Sequence, residues 1–309
     1  MLAGLSTRRY PVGLEPVGKA VKATARSTSK SAVSRRFVAM TEHALGDPLG
    51  KDLTGLDLVA LISDGVYFAD HLCVVALGID IDIDGTKHPL ALVEGSAENT
   101  TLVRGLLVGL RERGLAVTRP ILAVLDGAKA LAAAVKEVFD APMIARCQIH
   151  KLRNVRDHLP EKMRGPVTKR MRAAYHANSA LQAQALLEAL ARELDKTHPG
   201  AAGSLREGMA ETLTVLRLDL PPTLARTLPS TNAIESMIGI CRDHSRNVKR
   251  WRDGQIALRW CAAGMVEASS QFRRVNGPLH LAALRAALER HVAAETVGAN
   301  CNTQDVSAA

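Results

Sequence analysis

The sequence predicts an α/β fold in which helices cover a mixed sheet, and three observations lead to this prediction. Residues 56–95 contain three apolar segments joined by short turns, which is typical of an antiparallel meander. Residues 121–155 follow the order strand, turn, helix, strand, helix, and their strand segments are rich in branched apolar residues, as in parallel strands buried on both faces. Residues 156–229 carry helical periodicity and no strand pattern, so a helical segment interrupts the α/β part.

Size and composition exclude several classes of protein. The chain has 309 residues and is 47% hydrophobic, enough for a large core, but its longest apolar runs are too short to span a membrane. It does not open with a charged and then apolar export signal. Five cysteines in no regular pattern favour reduced thiols in the cytoplasm over a disulfide framework. They are Cys73, Cys147, Cys241, Cys261 and Cys301.

The charge of the chain points to a polyanionic partner. The net charge is +9, and eight Lys or Arg against one acid lie in residues 1–36, nine against two in 146–172, and eight against three in 242–274. Several basic segments in one chain favour contacts along double-stranded DNA. Aromatic residues make up only 3% of the chain, which argues against a single-strand binder built on base stacking. The alternative is that each basic segment is a solvated helix face.

The first 50 residues are predicted to be helical. Residues 27–31 are rich in serine and can cap a basic helix that exposes Arg35 and Arg36, and a short helix, a polar turn and a basic helix are typical of a helix-turn-helix unit. Many basic helical hairpins do not bind DNA, so this signal alone is unspecific. The glycines and proline of residues 46–50 predict a turn and a domain boundary there.

Three strands follow. The first is predicted to end at Asp64-Gly65, and a second, beginning at His71, leads to a hairpin turn at Asp84-Gly85. The third covers residues 86–95. The alternating aspartates of residues 80–84 resemble half of a calcium-binding loop, but the twelfth position is alanine where glutamate is required, so we expect them on the wet face of an edge hairpin.

The parallel part begins after a helix that is predicted to run from Glu98 to Leu115. Strand 121–125 leads into Asp126-Gly127, a helix over 128–139, a strand over 143–149 and a basic helix. This order is that of a ribonuclease H-like sheet, in which the first and fourth strands lie side by side. Asp64 and Asp126 would then share one cleft at a sheet edge where α/β folds bind ligands. The alternatives are that Asp64 is a turn residue and that Asp126 caps the helix after it.

The rest of the chain is predicted to be helical. Residues 51–159 form the first part of the core, 160–229 an all-helical insertion, and 230–292 the helices that complete the core, with 293–309 as a frayed tail. Ser230 and Thr231 can cap a helix with Glu235 in its first turns. Here too a structural alternative exists, because an acid near a helix N-terminus is favoured by the helix dipole.

Five motifs make the sequence recognisable. LISDG, LRERGL, LAVLDGAKAL, CQIHKLRNV and STNAIES, in this order, resemble the Mutator-type family of bacterial insertion-sequence transposases. The resemblance implies a DDE-type enzyme on a ribonuclease H-like core, with Asp64, Asp126 and Glu235 as catalytic and metal-binding acids. Cys147 and His150 fall on the Cys-x-x-His motif of the family, with a supporting role. By itself this pair is only half a zinc site.

The resemblance also sets the expected chemistry. Cleavage of a DNA phosphodiester needs an activated oxygen nucleophile and relief of charge on the leaving oxygen, and two Mg²⁺ or Mn²⁺ ions about 4 Å apart supply both. We expect Asp126 nearest both ions, Asp64 to bind or bridge, and Glu235 to complete one site. Water would release a 3′-hydroxyl at the element end, and that hydroxyl would attack target DNA. Two ends must be joined, which implies a homo-oligomer.

Contacts to DNA are expected from polar and basic residues that flank the acids in sequence. These are Lys151, Arg153, Asn154, Asn232, Arg242, Arg246, Lys249, Arg250 and Arg252. Trp251 and Trp260 could stack on a distorted base, although core positions are the favoured reading.

Chains of the family usually have a longer region before GLSTR. The alternatives are a truncated copy, a fragment of a degraded element and a misassigned start. The competing functions are a DNA-binding inhibitor without catalysis and a nuclease that cuts branched DNA.

Overall fold

The computed structural model describes the backbone of residues 29–82 and 84–306, and its centre is one mixed sheet of five strands. The strands are β1 (Leu58–Phe68), β2 (His71–Asp80), β3 (Lys87–Gly95), β4 (Ile121–Leu125) and β5 (Pro142–Arg146). Their order in the sheet is β3-β2-β1-β4-β5. β2 pairs antiparallel with β1 and β3, and β4 pairs parallel with β1 and β5. The predicted mixed α/β class and the pairing of the first and fourth strands are confirmed.

β1 is longer than the sequence predicts. The predicted end at Asp64-Gly65 is wrong, because residues 65–68 continue to pair with β2 as far as Phe68 opposite His71. The chain reverses instead at Ala69, whose φ of 52° is in the left-handed region. A local Asp-Gly turn signal is therefore overridden by the pairing of the strand with its neighbour.

Two further boundaries differ from the prediction. β2 ends at Asp80, whose side chain is only 14% exposed and accepts the backbone N–H of Asp57 through Oδ1, so this aspartate is not on a wet edge. Asp82 accepts the backbone N–H of Thr86 and thereby closes the turn. β5 ends at Arg146 rather than at residue 149, because Cys147 is already the cap of the next helix.

Helices cover both faces of the sheet. On one face, α2 (Thr100–Glu112) and α3 (Lys129–Val138) share a core with Leu61 of β1. On the other face, Ile62 belongs to a second core with the C-terminal helices. The period of two along a strand sends neighbouring side chains to opposite faces, which is why both cores meet on β1.

Residues 147–230 form the predicted helical segment. Its helices are α4 (Gln148–Asp157), α5 (Glu161–Tyr175), α6 (Ala180–Asp195), α7 (Pro199–Arg206), α8 (Met209–Thr212), α9 (Thr214–Arg217) and α10 (Pro222–Ala225). They bury a core of their own, to which α4 contributes Leu152 and Val155 and α6 contributes Leu187 and Leu190. No strand occurs among these residues, as the sequence predicts for 156–229, and the helical stretch is longer than the predicted insertion of residues 160–229.

The chain returns to the sheet through α11 (Asn232–Ser245), α12 (Gly254–Ser270), a 3₁₀ turn at Pro278–His280 and α13 (Leu281–Val306). α13 continues past Val297, where the sequence predicts fraying, because the single Gly298 costs too little to end a helix. None of the helices in the described part of the chain is both long and apolar enough to cross a membrane.

The N-terminal helix that the structure describes is α1 (Lys30–Gly50), and it packs on α12. The ring centroids of Phe37 and Trp260 lie 4.4 Å apart, and Trp260 is buried. Trp251 is half-buried against Phe68. Both tryptophans therefore pack in the core, which is the position that the sequence analysis favours. α1 continues through residues 46–50, so the turn predicted there is wrong. The partner helix of the predicted helix-turn-helix lies outside the described residues.

The contact between α11 and α12 requires a glycine. A Cβ atom added to Gly264 would lie 2.6 Å from the Cα atom of Cys241, closer than side chains approach a backbone. We expect Gly264→Ala to lower the free energy of unfolding by about 1–3 kcal/mol through overpacking, measured by urea unfolding. Gly239→Ala, on α11 with no atom within 4 Å of the added Cβ, is the matched control and should raise it by roughly 0.5–1 kcal/mol. A gain in stability for both variants would contradict the close packing.

Candidate active site

Two of the predicted acids lie side by side because of the register between β1 and β4. Ser63 pairs with Leu125, the last residue of β4. Asp64 is the next residue of β1, and Asp126 is the first residue after β4. Asp64 is buried, with 8% of its surface exposed, and Asp126 is half-buried. Asp126 accepts the backbone N–H of Ala128 at 2.8 Å through Oδ1 and so holds the turn, but the N-cap position of the helix is Ala128, so Asp126 is not the helix cap of the structural alternative.

The environment of Asp64 is electrostatically unfavourable for a carboxylate. Burial, followed by the charges of Asp126 and Glu235, raises the pKa of Asp64 to about 6. His150 and the backbone N–H of Gly65 act in the opposite direction. The three predicted acids are therefore close enough to repel one another, although 171 residues separate the first from the last in sequence.

Glu235 lies in the first turn of α11 and is held by a threonine. The Thr231 hydroxyl donates to Glu235 Oε1 at 3.0 Å, and Thr231 is fully buried at the N-cap position of the helix. Glu235 Oε1 also lies 3.7 Å from His150 Nδ1 and 3.8 Å from a guanidinium nitrogen of Arg153. One hydroxyl and two basic side chains thus fix the position of this half-buried carboxylate.

The Cys-x-x-His pair lies behind Glu235. Cys147 Sγ accepts the backbone N–H of Thr231 at 3.4 Å, and the Thr231 hydroxyl is 3.4 Å from both Cys147 Sγ and His150 Nδ1. Burial alone raises the pKa of Cys147, but hydrogen bonds from His150 and Thr231 outweigh it and leave this pKa below the usual value. The hydrogen bond with Cys147 raises the pKa of His150, against the effect of burial. The pair and the threonine form one hydrogen-bonded group.

The same group contains a possible set of metal ligands. Cys147 Sγ, His150 and a Glu235 oxygen lie within 4.8 Å of one another, so the half zinc site gains a third donor. However, the Thr231 hydroxyl lies among these atoms and already bonds to Glu235. Thiolate is also a poor ligand for Mg²⁺, which prefers oxygen. The geometry favours a hydrogen-bonded support for Glu235.

A fourth acid, which the sequence analysis did not select, belongs to the same region. Burial raises the pKa of Glu98 to about 7, with further contributions from Asp126 and Asp64. Glu98 lies between β3 and α2, directly before the helix cap Asn99. In sequence it reads as an ordinary acid at a helix start, and no spacing rule connects it with β1 or β4.

The donor set suits a hard divalent cation. Burial and the charge of Asp126 disfavour the charged forms of Asp64 and Glu98, and Glu235 adds to this effect at Asp64. Among the described residues, the ligand atoms that already lie within 4.8 Å of one another are those of Cys147, His150 and Glu235, so the four acids are near one another without forming a closed ligand set. Carboxylate oxygens are the preferred ligands of Mg²⁺ and Mn²⁺. Cations bound there would relieve the repulsion, so the residues that are present fit the expected metal.

One predicted DNA contact is wrong. Lys151 is 1% exposed, and its Nζ donates to the carbonyl oxygens of Ser204 and Glu207 at the end of α7. Burial, together with the charge of Arg146, lowers the pKa of Lys151 to about 8. The charge pattern of residues 146–172 does not show where α7 packs, so the burial of Lys151 could not be predicted from it.

The other predicted contacts lie on the surface. Arg153, next to Glu235, has 54% of its side chain exposed and lies 3.8 Å from Glu235 Oε1. The remaining candidates are exposed as well: Arg35, Arg36, Asn154, Asn232, Arg242, Arg246, Lys249, Arg250 and Arg252. Exposure leaves them available to phosphates, and it is equally compatible with solvated helix faces.

Comparisons with known proteins agree with the motifs. A family profile described as Transposase, Mutator family matches residues 3–275. The chain is 28% identical over 239 residues to the transposase for insertion sequence element IS6120 of Mycolicibacterium smegmatis, covering 76% of this chain and 72% of that protein. It is 27% identical over 283 residues to the transposase for ISRM5 of Rhizobium meliloti, covering 91% and 69%. A probable transposase of Corynebacterium diphtheriae is 29% identical over 199 residues, covering 64% and 56%.

The repulsion at Asp64 predicts a pH dependence of stability. Its folded pKa of about 6 lies above the ordinary value of 3.8, so its contribution to stability is complete below about pH 4 and is lost as pH rises through 6. We expect metal-free Asp64→Asn to be more stable than the wild type at pH 8, by about 3 kcal/mol in urea unfolding with a chelator present. Asp70→Asn, an exposed acid at the end of the same hairpin, should leave the stability unchanged. A destabilised Asp64→Asn at pH 8 would contradict the proposed repulsion.

The hydroxyl of Thr231 provides a second test. Thr231→Val keeps the volume but removes the donor to Glu235 and leaves buried polar partners unsatisfied, so we expect a loss of about 1–3 kcal/mol in urea unfolding. Thr231→Ser keeps the hydroxyl and should recover much of this loss. If serine were no better than valine, the packing of the methyl group would matter and the hydrogen bonds would not.

Proposed function

Because the chain belongs to the Mutator family of transposases, we propose that it catalyses metal-dependent cleavage and transfer of DNA strands at the ends of an insertion sequence. The observation that carries this proposal is the electrostatic coupling of Asp64, Asp126 and Glu235 at one end of the sheet. These acids come from β1, from the end of β4 and from α11. Structural acids without a shared task have no reason to be buried together.

The fold in this proposal is ribonuclease H-like with a DDE-type site. The strand order β3-β2-β1-β4-β5, antiparallel on one side of β1 and parallel on the other, supports it. The helical segment of residues 147–230 then stands between the second and third acids, where the family resemblance expects an insertion. Its presence disfavours a compact nuclease that cuts branched DNA.

The proposed cofactors are two Mg²⁺ or Mn²⁺ ions. When bound, they lower the pKa of the attacking oxygen and neutralise charge on the leaving oxygen. Asp126 would hold both ions, Asp64 would bind or bridge them, and Glu235 would complete one site. The support for this arrangement is the accumulation of carboxylates whose charges repel one another in a buried setting.

The reaction has two steps in this proposal. Water attacks the phosphodiester at the element end and releases a 3′-hydroxyl, and this hydroxyl then attacks a phosphodiester of target DNA. The chain contributes orientation: Thr231, backed by Cys147 and His150, holds Glu235 in one position during both steps. Placement within a fraction of an ångström is what such displacement chemistry requires.

Double-stranded DNA is the proposed partner. Arg153 is exposed beside Glu235 and can neutralise a phosphate next to the scissile bond. The exposed basic residues at the end of α11 and in the loop after it extend the same positive surface, and each phosphate contact should steepen the salt dependence of binding. We place the reaction in the bacterial cytoplasm, in a homo-oligomer that brings two element ends together.

The catalytic part of the proposal is tested with Asp126→Asn. The variant keeps the shape of the side chain but loses the charge that would bind both ions, so we expect strand cleavage with Mg²⁺ to fall by on the order of a thousandfold. Binding of the same end DNA, measured at several salt concentrations, should remain within about twofold, because the basic surface is unchanged.

Asp140→Asn is the matched control. Asp140 is exposed and directly precedes β5, so it lies at the opposite end of the parallel strands from Asp126. Its cleavage rate should equal that of the wild type. If the wild type bound end DNA without Mg²⁺-dependent nicking, the chain would instead be a DNA-binding inhibitor.

A further inference from the structure

Glu98 approaches the acids from the face of the sheet opposite to Glu235. Its Oε2 atom lies 3.2 Å from the position that a Cβ atom would take at Gly65, the residue after Asp64. That position also faces Leu72, which belongs to the core shared with α2 and α3. Glu235 is on α11, which packs on the other face. The missing side chain at Gly65 leaves the space that the Glu98 carboxylate occupies.

One oxygen of Glu98 has no partner. Oε1 is buried, and no hydrogen-bond partner for it exists in the described part of the chain. Glu94, four residues earlier, differs in this respect because its Oε1 lies 2.9 Å from His71 Nδ1. A buried carboxylate oxygen without a hydrogen bond is costly and is rarely kept without a reason.

The charges that act on Glu98 make the cost larger. They belong to Asp126 and, more weakly, to Asp64, and both are negative. A structural glutamate would be expected to face an arginine, a lysine or backbone N–H groups. An oxygen that is buried, unpartnered and subject to the negative charges of Asp126 and Asp64 fits a site that a cation fills.

We propose that Glu98 is a fourth carboxylate ligand, which binds a divalent cation together with Asp126. This inference rests on the proposed function, because it assigns Glu98 to the same metal-dependent site. Carboxylates then approach Asp64 on β1 and the end of β4 from both faces: Glu98 from the side of α2, and Glu235 from the side of α11. A hard cation that prefers several oxygen ligands gains one more from the chain and needs one fewer from water.

A purely structural Glu98 makes the opposite prediction. It would remain a neutral carboxylic acid that fills the space beside Gly65, and it would not respond to a metal. Glu98→Gln distinguishes the two, because glutamine has almost the same shape and hydrogen-bonding capacity but cannot act as an anionic ligand.

The experiment is a titration of the full-length protein with Mn²⁺ in the absence of DNA, with free Mn²⁺ measured by electron paramagnetic resonance. We expect Glu98→Gln to weaken Mn²⁺ binding by at least roughly tenfold, the lower limit for residues that support a bound metal. Glu112→Gln, an exposed acid at the other end of α2, should bind as the wild type does. Metal-free Glu98→Gln should unfold at the same or a higher urea concentration, because a repelling charge is removed.

Glu98→Asp is a second variant in case glutamine impairs folding. It keeps the charge but withdraws the carboxylate by one methylene, and we expect weaker Mn²⁺ binding with an intact fold.

Two unfavourable results are distinct. Wild-type affinity in both Glu98 variants, together with weakened binding in Asp126→Asn, would overturn the role of Glu98 and leave the proposed function standing. A wild type that does not bind Mn²⁺, or an Asp126→Asn variant that binds it normally, would overturn both.

Discussion

Repulsion among buried carboxylates is the constraint around which this structure is organised. Asp64 and Asp126 follow paired residues on adjacent strands, so the backbone register brings them close together. Burial makes the repulsion stronger, because the interior screens charge poorly. Two apolar cores on the two faces of the sheet supply the stability that this arrangement opposes. The site is therefore strained electrostatically before any ligand arrives, which is typical of functional sites.

The third acid depends on how the helical segment of residues 147–230 joins the sheet. The segment leaves at Cys147, whose N–H donates to the carbonyl of Leu125, and returns where the carbonyl of Pro229 accepts the N–H of Gln148. The entry and exit of the segment are thus closed by backbone hydrogen bonds beside the end of β4. Cys147 Sγ also accepts the backbone N–H of Thr231, and the Thr231 hydroxyl donates to Glu235. Hydrogen bonds therefore connect this closure to the third acid. A large insertion can be accommodated there because its two ends are joined at one point.

The parts of the fold and site that could be predicted from the sequence are those set by local pattern and by motif order. The pairing of the first and fourth strands placed Asp64 next to Asp126, and the helix cap at Thr231 placed Glu235 in an early turn of α11. The end of β1 was mispredicted because pairing with β2 outweighs an Asp-Gly signal, which is a tertiary effect on a local preference. Glu98 could not be found, since its role follows from the space at Gly65, a residue on another strand.

Lys151 shows why a count of basic residues overstates the surface that is offered to DNA. Its ammonium group and the guanidinium of Arg146 both donate to the carbonyl of Glu207, directly after the C-terminus of α7, where the helix dipole favours positive charge. Two cations of the segment 146–172 are consequently used to anchor the helical insertion. The exposed cation that remains closest to the acids is Arg153, which lies within 3.8 Å of Glu235 on the outer side of the site. The positive charges near the carboxylates therefore have two roles. The buried ones hold the insertion in place, and only exposed ones can contact a phosphate backbone.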